Sequence, residues 1–176
     1  MGYSDSAKKY FQSLEQWMRH FGFAPLGVES NWLFDAAFAV DRVEISKFSK
    51  VNVFCFAKYQ DEYFTKAKFE QFSRETFNYA MKIRQGNPVG LFGSLIVYPC
   101  LIVEKATKEQ IDFLGGYLNK HYSAFEFPGL VELFTGDFYC YPRTPMWGAL
   151  FYDGFRKESK KFFSPKAWQM IAGGKK

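Results

Sequence analysis

The residues best suited to chemistry in this chain are cations near its C-terminus. Between positions 156 and 176 the net charge is +6, because seven lysines and arginines stand against Glu158 alone. Four of these cations share one predicted helix face, namely Arg156, Lys157, Lys160 and Lys161. Such a cluster is typical of contact with phosphates, on nucleic acid or on an anionic membrane surface. A solvated helix face with a polar tail is the alternative.

A second candidate for anion binding lies just before that helix. Residues 138–148 combine aromatic rings, Arg143 and a predicted helix start, with Thr144 at the cap and Pro145 in the first helical position. A helix N-terminus beside a guanidinium group would form an anion pocket. A tightly packed corner between a strand and a helix is the other interpretation. The sequence leaves both open.

Carboxylates and histidines offer less specific signals. Four carboxylates fall at or beside predicted strand ends, where the ligand sites of open α/β sheets gather. They are Glu104, Glu126, Glu132 and Asp137. An acid–base pair among them would support catalysis, and ordinary surface positions are the alternative. His20 and His121 lack the spacing of metal ligands, and His121 is interpreted as a cation favoured by the dipole at a helix end.

One enzymatic hypothesis arises from the order of elements between about Ala24 and Leu101. A strand with Asp35, a strand that ends near Lys58, a helix and a further strand follow one another. This order resembles the core of restriction-endonuclease-like nucleases, in which an Asp and a Glu-x-Lys motif hold Mg²⁺ and orient the attacking water. The resemblance implies that Asp35 and Lys58 are the outer catalytic residues. Phe56 stands where the second carboxylate belongs, which removes a metal ligand.

Other catalytic signals are missing from the sequence. It contains no Gly-x-Ser-x-Gly elbow, no Gly-x-x-x-x-Gly-Lys-Ser/Thr loop and no Gly-x-Gly-x-x-Gly fingerprint. Cys55, Cys100 and Cys140 are widely spaced within apolar or aromatic segments, which favours buried free thiols over a disulfide framework or a metal site. The sequence therefore predicts no metal site, assigns no cofactor and favours a protein that is not an enzyme.

The elements that would position these residues alternate between helix and strand. Apolar side chains at helical spacing predict one helix over Asp5–Phe21 and another from a cap at Asp61 to about Gln85. Thr107 and Gln110 have the spacing of a capping box, which predicts a third helix that continues to about Tyr122. A fourth helix is predicted from Thr144–Pro145. Its apolar stripe would contain Met146, Leu150, Phe151, Phe155 and Phe162.

Strands are predicted at Trp32–Val40, at Val51–Ala57 and within the apolar run Val89–Val103. Pro99 interrupts that run and lacks a backbone N–H, so an edge strand or a bulge is expected there. Residues 125–134 and 138–141 predict a hairpin about Gly136.

These patterns predict an α/β fold in a single compact domain over residues 1–176, with a mixed β-sheet flanked by helices. The 21% aromatic content predicts an aromatic-rich core, and an exposed stacking platform is the alternative. Residues from about 164 to 176 are expected to form a basic tail with a flexible end.

The favoured function is that of a non-enzymatic binding or interaction module for an anionic partner, nucleic acid or another polyanion. The alternatives are the metal-dependent nuclease and a structural homo-oligomer, with Pro99 and the corner around Arg143 as interface features. The opening segment is polar and the longest apolar run is short and interrupted, so the sequence predicts a soluble cytoplasmic protein without a membrane span. The oligomeric state stays open.

Overall fold

The computed structural model describes residues 2–27, 32–44, 49–86, 88–90, 93–119, 121, 123–144, 146 and 151–174. The helices in these ranges are α1 (Asp5–His20), α2 (Lys66–Ile83), α3 (Lys108–Gly116), α4 (Tyr152–Phe163) and α5 (Pro165–Gly173). The strands are β1 (Ala24–Pro25), β2 (Ala36–Glu44), β3 (Ser49–Tyr59), β4 (Gly93–Val103), β5 (Ala124–Glu126), β6 (Gly129–Glu132) and β7 (Asp137–Cys140). None of the helices described has the length and apolar character needed to cross a membrane.

One mixed sheet joins these strands in the order β1-β2-β3-β4-β6-β7, with β5 also paired to β4. The pairs β1/β2, β2/β3 and β6/β7 are antiparallel. The pairs that β4 makes with β3, β5 and β6 are parallel. Parallel neighbours need a long crossover, which α2 provides between β3 and β4. The predicted mixed sheet flanked by helices is confirmed.

Both faces of the sheet are buried under helices. Along β3, Val53 and Cys55 point into a cluster with α1, α4 and α5, whereas Phe54 and Phe56 point into a cluster with α2 and α3. Successive residues of a strand project to opposite faces, so a continuous apolar run is typical of a central strand in a three-layer fold. Phenylalanine, tyrosine and tryptophan supply many of the side chains in both clusters. The prediction of an aromatic-rich core is confirmed.

Pro99 lies inside a central strand, so the expectation of an edge strand or a bulge is wrong. One side of β4 pairs with β3 throughout, and the other pairs with β5 up to Val97 and with β6 from Cys100. Both partners keep one register, which places Pro99 opposite Pro128 in the gap between them. The Phe127 N–H donates to the Val97 carbonyl, so Val97 and the alternate residues of β4, including Pro99, direct their backbone groups toward β5 and β6. The missing N–H of Pro99 therefore falls in the gap between those two strands. Pro99 is also buried, which removes it as an interface feature.

Two helices have different ends from those predicted. α2 begins after Thr65, whose hydroxyl accepts a hydrogen bond from the amide three residues on, so Asp61 is not the cap. α3 ends at Gly116, well before the predicted end. The pair Gly115–Gly116 has low helix propensity, which explains why the chain leaves the helix there.

The C-terminal helices also differ from the prediction. α4 begins at Tyr152 rather than at Thr144, and Met146 is 97% exposed rather than part of an apolar stripe. Phe155 and Phe162 are buried as expected. The predicted helix residues Pro145 and Leu150, and Trp147 and Gly148 before them in the corner segment, lie outside the described residues.

Most of the segment expected to be a tail forms α5. The Ser164 hydroxyl caps it by accepting from the Ala167 amide, and Pro165 occupies its first turn. Trp168 is buried and stacks on Tyr10 of α1, with ring centroids 5.5 Å apart. α5 is therefore packed onto the domain through α1.

The capping box of α3 is present as predicted. The Thr107 hydroxyl accepts from the Gln110 amide at 3.2 Å, and the Gln110 side chain accepts from the Thr107 amide at 3.0 Å. We expect Thr107→Ala to lower the free energy of unfolding by about 1 kcal/mol, because a helix N–H loses its acceptor. Urea denaturation followed by circular dichroism measures the change. Thr107→Ser keeps the hydroxyl and serves as the control, and an unchanged midpoint for Thr107→Ala would contradict the prediction.

Candidate anion-binding surface

The outer side of α4 carries three of the predicted cations. Lys157, Lys160 and Lys161 are exposed. The opposite side is buried and consists of Tyr152, Phe155, Ser159, Phe162 and Phe163. This separation follows from helical spacing, since residues three and four positions apart share a face. With Lys166 of α5, which is also exposed, these lysines are called the cationic face below.

Two lysines of the cationic face contact carboxylates. The Lys157 Nζ lies 2.7 Å from Asp153, and the Lys166 Nζ lies 2.6 Å from Asp137. Each lysine lowers the pKa of the carboxyl group that it contacts, chiefly by hydrogen bonding to it. Ion pairs as exposed as these contribute little to stability, because water screens them. An anionic partner can therefore compete with Asp153 and Asp137 for the lysines.

The other two lysines are less engaged. The Lys161 Nζ lies 4.5 Å from the centroid of the Phe21 ring. Lys160 makes no salt bridge within the described part of the chain, and its charge helps to lower the pKa of Asp137 after the larger effect of Lys166. Lys160 and Lys166 therefore act on the same carboxylate, which places them on one side of the molecule.

Arg156 and Arg143 contact the protein's own backbone. Arg156 donates to the Arg143 carbonyl at 2.8 Å and to the Thr144 hydroxyl at 2.7 Å, and its side chain is only 23% exposed. Arg143 donates to the Gly115 carbonyl at 2.9 Å and lies over the Tyr141 ring, 6.0 Å from its centroid. α4 begins at residue 152 rather than at Thr144, and the Arg143 guanidinium is directed to the Gly115 carbonyl. These contacts are those of a packed corner.

Glu158, the one carboxylate of the predicted cluster, turns toward the sheet. It accepts hydrogen bonds from Arg42 at 2.5 Å and from the buried Tyr98 hydroxyl at 2.7 Å. Burial first, and the charge of Glu158 second, raise the pKa of Tyr98 well above its ordinary value. This inward pair holds α4 against β2 and β4. It also leaves Asp153 as the only carboxylate that α4 directs outward.

The four carboxylates at strand ends do not converge on one site. Glu104 accepts hydrogen bonds from hydroxyls at the start of α1 and the end of β3. Glu132 accepts from the backbone before α3 and from the turn after β6. Asp137 contacts Lys166 of α5. Glu126 lies elsewhere, on the face of the sheet that α2 covers.

Glu126 is the centre of a buried polar cluster that the sequence did not predict. Its side chain is fully buried. The hydroxyls of Ser73 and Tyr117, the Asn119 amide and the His121 ring surround it as hydrogen-bond partners. A carboxylate offers about four lone-pair positions, and these partners occupy them. Glu126 therefore anchors α2 and the segment after α3, and it has no free position for a substrate.

His121 lies five residues beyond the end of α3, so its interpretation as a cation at that helix end is wrong. Its Nε2 is 3.0 Å from Glu126, and its ring stacks on Phe77 with centroids 3.9 Å apart. No short sequence motif predicts the hydrogen bond between His121 and Glu126, because the two side chains meet only in the folded protein.

Asp35 and Lys58 also make local contacts. The Asp35 carboxylate accepts from the Tyr59 amide at 2.6 Å, and the Lys58 ammonium donates to the Trp32 carbonyl at 2.7 Å. Phe56 is completely buried, so the position of the missing carboxylate belongs to the core. Within the described ranges, no group of three His, Cys, Asp or Glu side chains could hold a metal ion. These contacts give the nuclease hypothesis no support.

The cysteines are all free. Cys55 and Cys100 are buried, and burial raises the pKa of both thiols well above the ordinary value. Cys140 is less buried, and desolvation raises the pKa of its thiol to about 11. Thiols with raised pKa values are poor nucleophiles at neutral pH, which argues against a catalytic role.

Comparison of the chain with protein-family models, curated proteins and solved structures gives no significant match. The protein is therefore classified by its own geometry, as a three-layer α/β domain with a cationic face on its C-terminal helices.

Proposed function

We propose that the protein is a non-enzymatic binding module for an anionic partner, and that its cationic face contacts the phosphates of nucleic acid. The observation that carries this proposal is the separation of charge on α4. Its lysines point outward, whereas Glu158 pairs inward with Arg42. Phosphate contacts of this kind are independent of base sequence. The expected binding is weak, without sequence preference and sensitive to salt.

Two further observations favour a binding module over an enzyme. The buried Glu126 carboxylate is occupied by partners from the protein, and Phe56 fills the position of a metal-binding carboxylate. The proposal includes a cytoplasmic location, which the three free cysteines support because thiols stay reduced in that compartment.

The salt dependence of binding tests the proposal. Fluorescence anisotropy with a labelled duplex DNA, recorded over a range of salt concentrations, is expected to give a plot of log affinity against log salt with a slope of about −0.9 per phosphate contact, of which roughly −2.7 comes from the three lysines of α4. The variant with Lys157, Lys160 and Lys161 all changed to Gln is expected to lose that part of the slope and to keep the part that Lys166 contributes. Its thermal stability is expected to stay nearly the same, since the three side chains are exposed. Arg156 is kept, because it binds the Arg143 carbonyl.

A matched variant separates the cationic face from the total charge. Lys66, Lys105 and Lys108 are also exposed, and they lie on or before α2 and α3. Changing all three to Gln removes the same charge and is expected to leave the salt slope intact. The proposal would be overturned if both variants lost the same part of the salt slope, or if the wild type did not bind DNA at low salt.

A further inference from the structure

A crevice with a volume of about 260 Å³ opens at the carboxyl ends of β3 and β4, beneath the first half of α2. Its floor is apolar and consists of Leu33, Phe64, Phe72 and Leu101. Ligands of open α/β sheets bind outside the carboxyl ends of parallel strands, and β3 and β4 are parallel neighbours. The crevice therefore lies at the end of the parallel strands where a ligand is expected.

Trp32 forms one wall of the crevice and is 76% exposed. The Lys58 ammonium donates to its carbonyl and lies 5.9 Å from the centroid of its ring. These contacts hold the backbone of Trp32 at the rim and leave most of the indole in solvent. An indole in that position can stack on a planar ring such as a nucleic-acid base.

The rest of the rim is polar, and its lysines outnumber its carboxylates. It contains Lys58, Gln60, Lys68, Gln71 and Glu75. The Gln71 amide donates to Glu75 at 2.8 Å, so these two side chains of the rim contact each other. Lys68 lies in the first turn of α2, which contains no acidic residue. The backbone N–H groups of a first helical turn favour an anion, and here a lysine adds to that preference.

We propose that this crevice binds a mononucleotide, with its base stacked on Trp32 and its phosphate between Lys58 and Lys68. The aromatic wall requires a planar ring, the two ammonium groups require an anion, and the polar rim suits the edge of a base. At about 260 Å³ the crevice is slightly smaller than the roughly 300–1,000 Å³ usual for ligand pockets, so it holds at most one nucleotide. A free mononucleotide and the 5′-phosphorylated end of a strand share this chemistry. The site is separate from the cationic face, and the proposal does not rest on the function proposed for that face.

Titration with AMP, followed by tryptophan fluorescence, tests the site. We expect saturable quenching with a Kd between about 10 μM and 1 mM, the range for a small ligand in an open site. Adenosine and ribose 5-phosphate each lack half of the proposed contacts, and in competition with AMP both are expected to bind at least about tenfold more weakly. A lack of saturable quenching would overturn the site. Ribose 5-phosphate that binds as tightly as AMP would overturn the stacking on Trp32.

Two variants test which residue binds the base of the ligand and which binds its phosphate. Calorimetry measures the affinities. Trp32→Ala and Lys68→Gln are each expected to weaken AMP binding about tenfold, which corresponds to 1.4 kcal/mol. Lys68→Gln is expected to leave adenosine binding unchanged. Lys66→Gln is the control, because Lys66 is on the same helix but pairs with Glu70 outside the crevice. Unchanged AMP affinity in both crevice variants would overturn the proposal.

Two comparisons separate this site from the cationic face and identify the source of the nucleotide. The variant with Gln at positions 157, 160 and 161 is expected to bind AMP with normal affinity, and loss of AMP binding there would overturn a separate site. A 5′-phosphorylated trinucleotide that binds more tightly than AMP assigns the crevice to strand ends. Weaker binding of the trinucleotide assigns it to the free mononucleotide.

Discussion

Replacing Glu126 by alanine is expected to lower the free energy of unfolding by about 3 kcal/mol or more, because the loss of one member of a buried network leaves its partners unsatisfied. The Tyr117 hydroxyl donates to this carboxylate at 2.7 Å, and Ser73, which is fully buried, donates to the same oxygen. Urea denaturation of the wild type and the variant measures the difference.

Two other variants make the experiment specific. Glu126→Gln keeps the volume and one acceptor oxygen, so a smaller loss of about 1–2 kcal/mol is expected. Glu62→Ala removes an exposed carboxylate and is expected to change stability by less than about 0.5 kcal/mol. If Glu126→Ala cost no more than Glu62→Ala, the cluster would not be an anchor.

The second large effect is expected for Phe162→Ala in α4. The side chain is 2% exposed, and its ring centroid lies 5.0 Å from that of Phe23 and 5.7 Å from those of Phe21 and Tyr98. Loss of a buried phenylalanine costs about 3–5 kcal/mol, as lost burial and a cavity combine. For a domain of this size the expected fall in Tm is about 10 °C, measured by calorimetry.

Lys160→Ala is the control for that variant, since it changes the same helix on its exposed side. We expect its Tm to shift by less than about 2 °C. A similar small shift for Phe162→Ala would contradict the packing of α4 on the sheet. The positions of the lysines on the cationic face depend on that packing and would then not be fixed.

Local patterns in the sequence predicted much of the fold. The helical spacing of apolar side chains such as Leu14 and Met18 placed α1, and Gly22, which has a φ of 85°, lies just after its end. Gly136, with a φ of 72°, lies in the turn of the β6/β7 hairpin in the same way. In these elements the residues that define the structure are neighbours in the chain. Short-range rules are sufficient for such elements.

The structure differs from the prediction where two local signals compete or where a helix start follows directly on another helix. Both Asp61 and Thr65 can cap a helix, and only the structure shows that Thr65 does so. Ser164 followed by Pro165 is a recognisable helix start, and it would have predicted α5 in place of a tail. The strand around Pro99 required knowledge of its partners, since a proline is tolerated there only because β5 and β6 leave a gap opposite it.

The candidate site was predictable in composition but not in geometry. The sequence identified Lys157, Lys160 and Lys161, and each is exposed. It did not show that Glu158 would pair with Arg42, which lies 116 positions away in the chain. It also did not show that Arg156 would bind the backbone of residue 143. Such contacts depend on long-range packing, which the spacing of residues in one segment does not encode.

The two outermost strands of the sheet, β1 and β7, also affect how copies of the protein can associate. β1 has two residues, and the second is Pro25, which has no N–H to offer to a neighbouring strand. β7 has four residues, and Pro142 follows it closely. Short edge strands and prolines oppose the addition of further strands, which is the route to fibrous aggregates. These two short strands are therefore expected to be poor templates for a shared sheet, and copies of the protein that meet at β1 or β7 would associate through side chains instead.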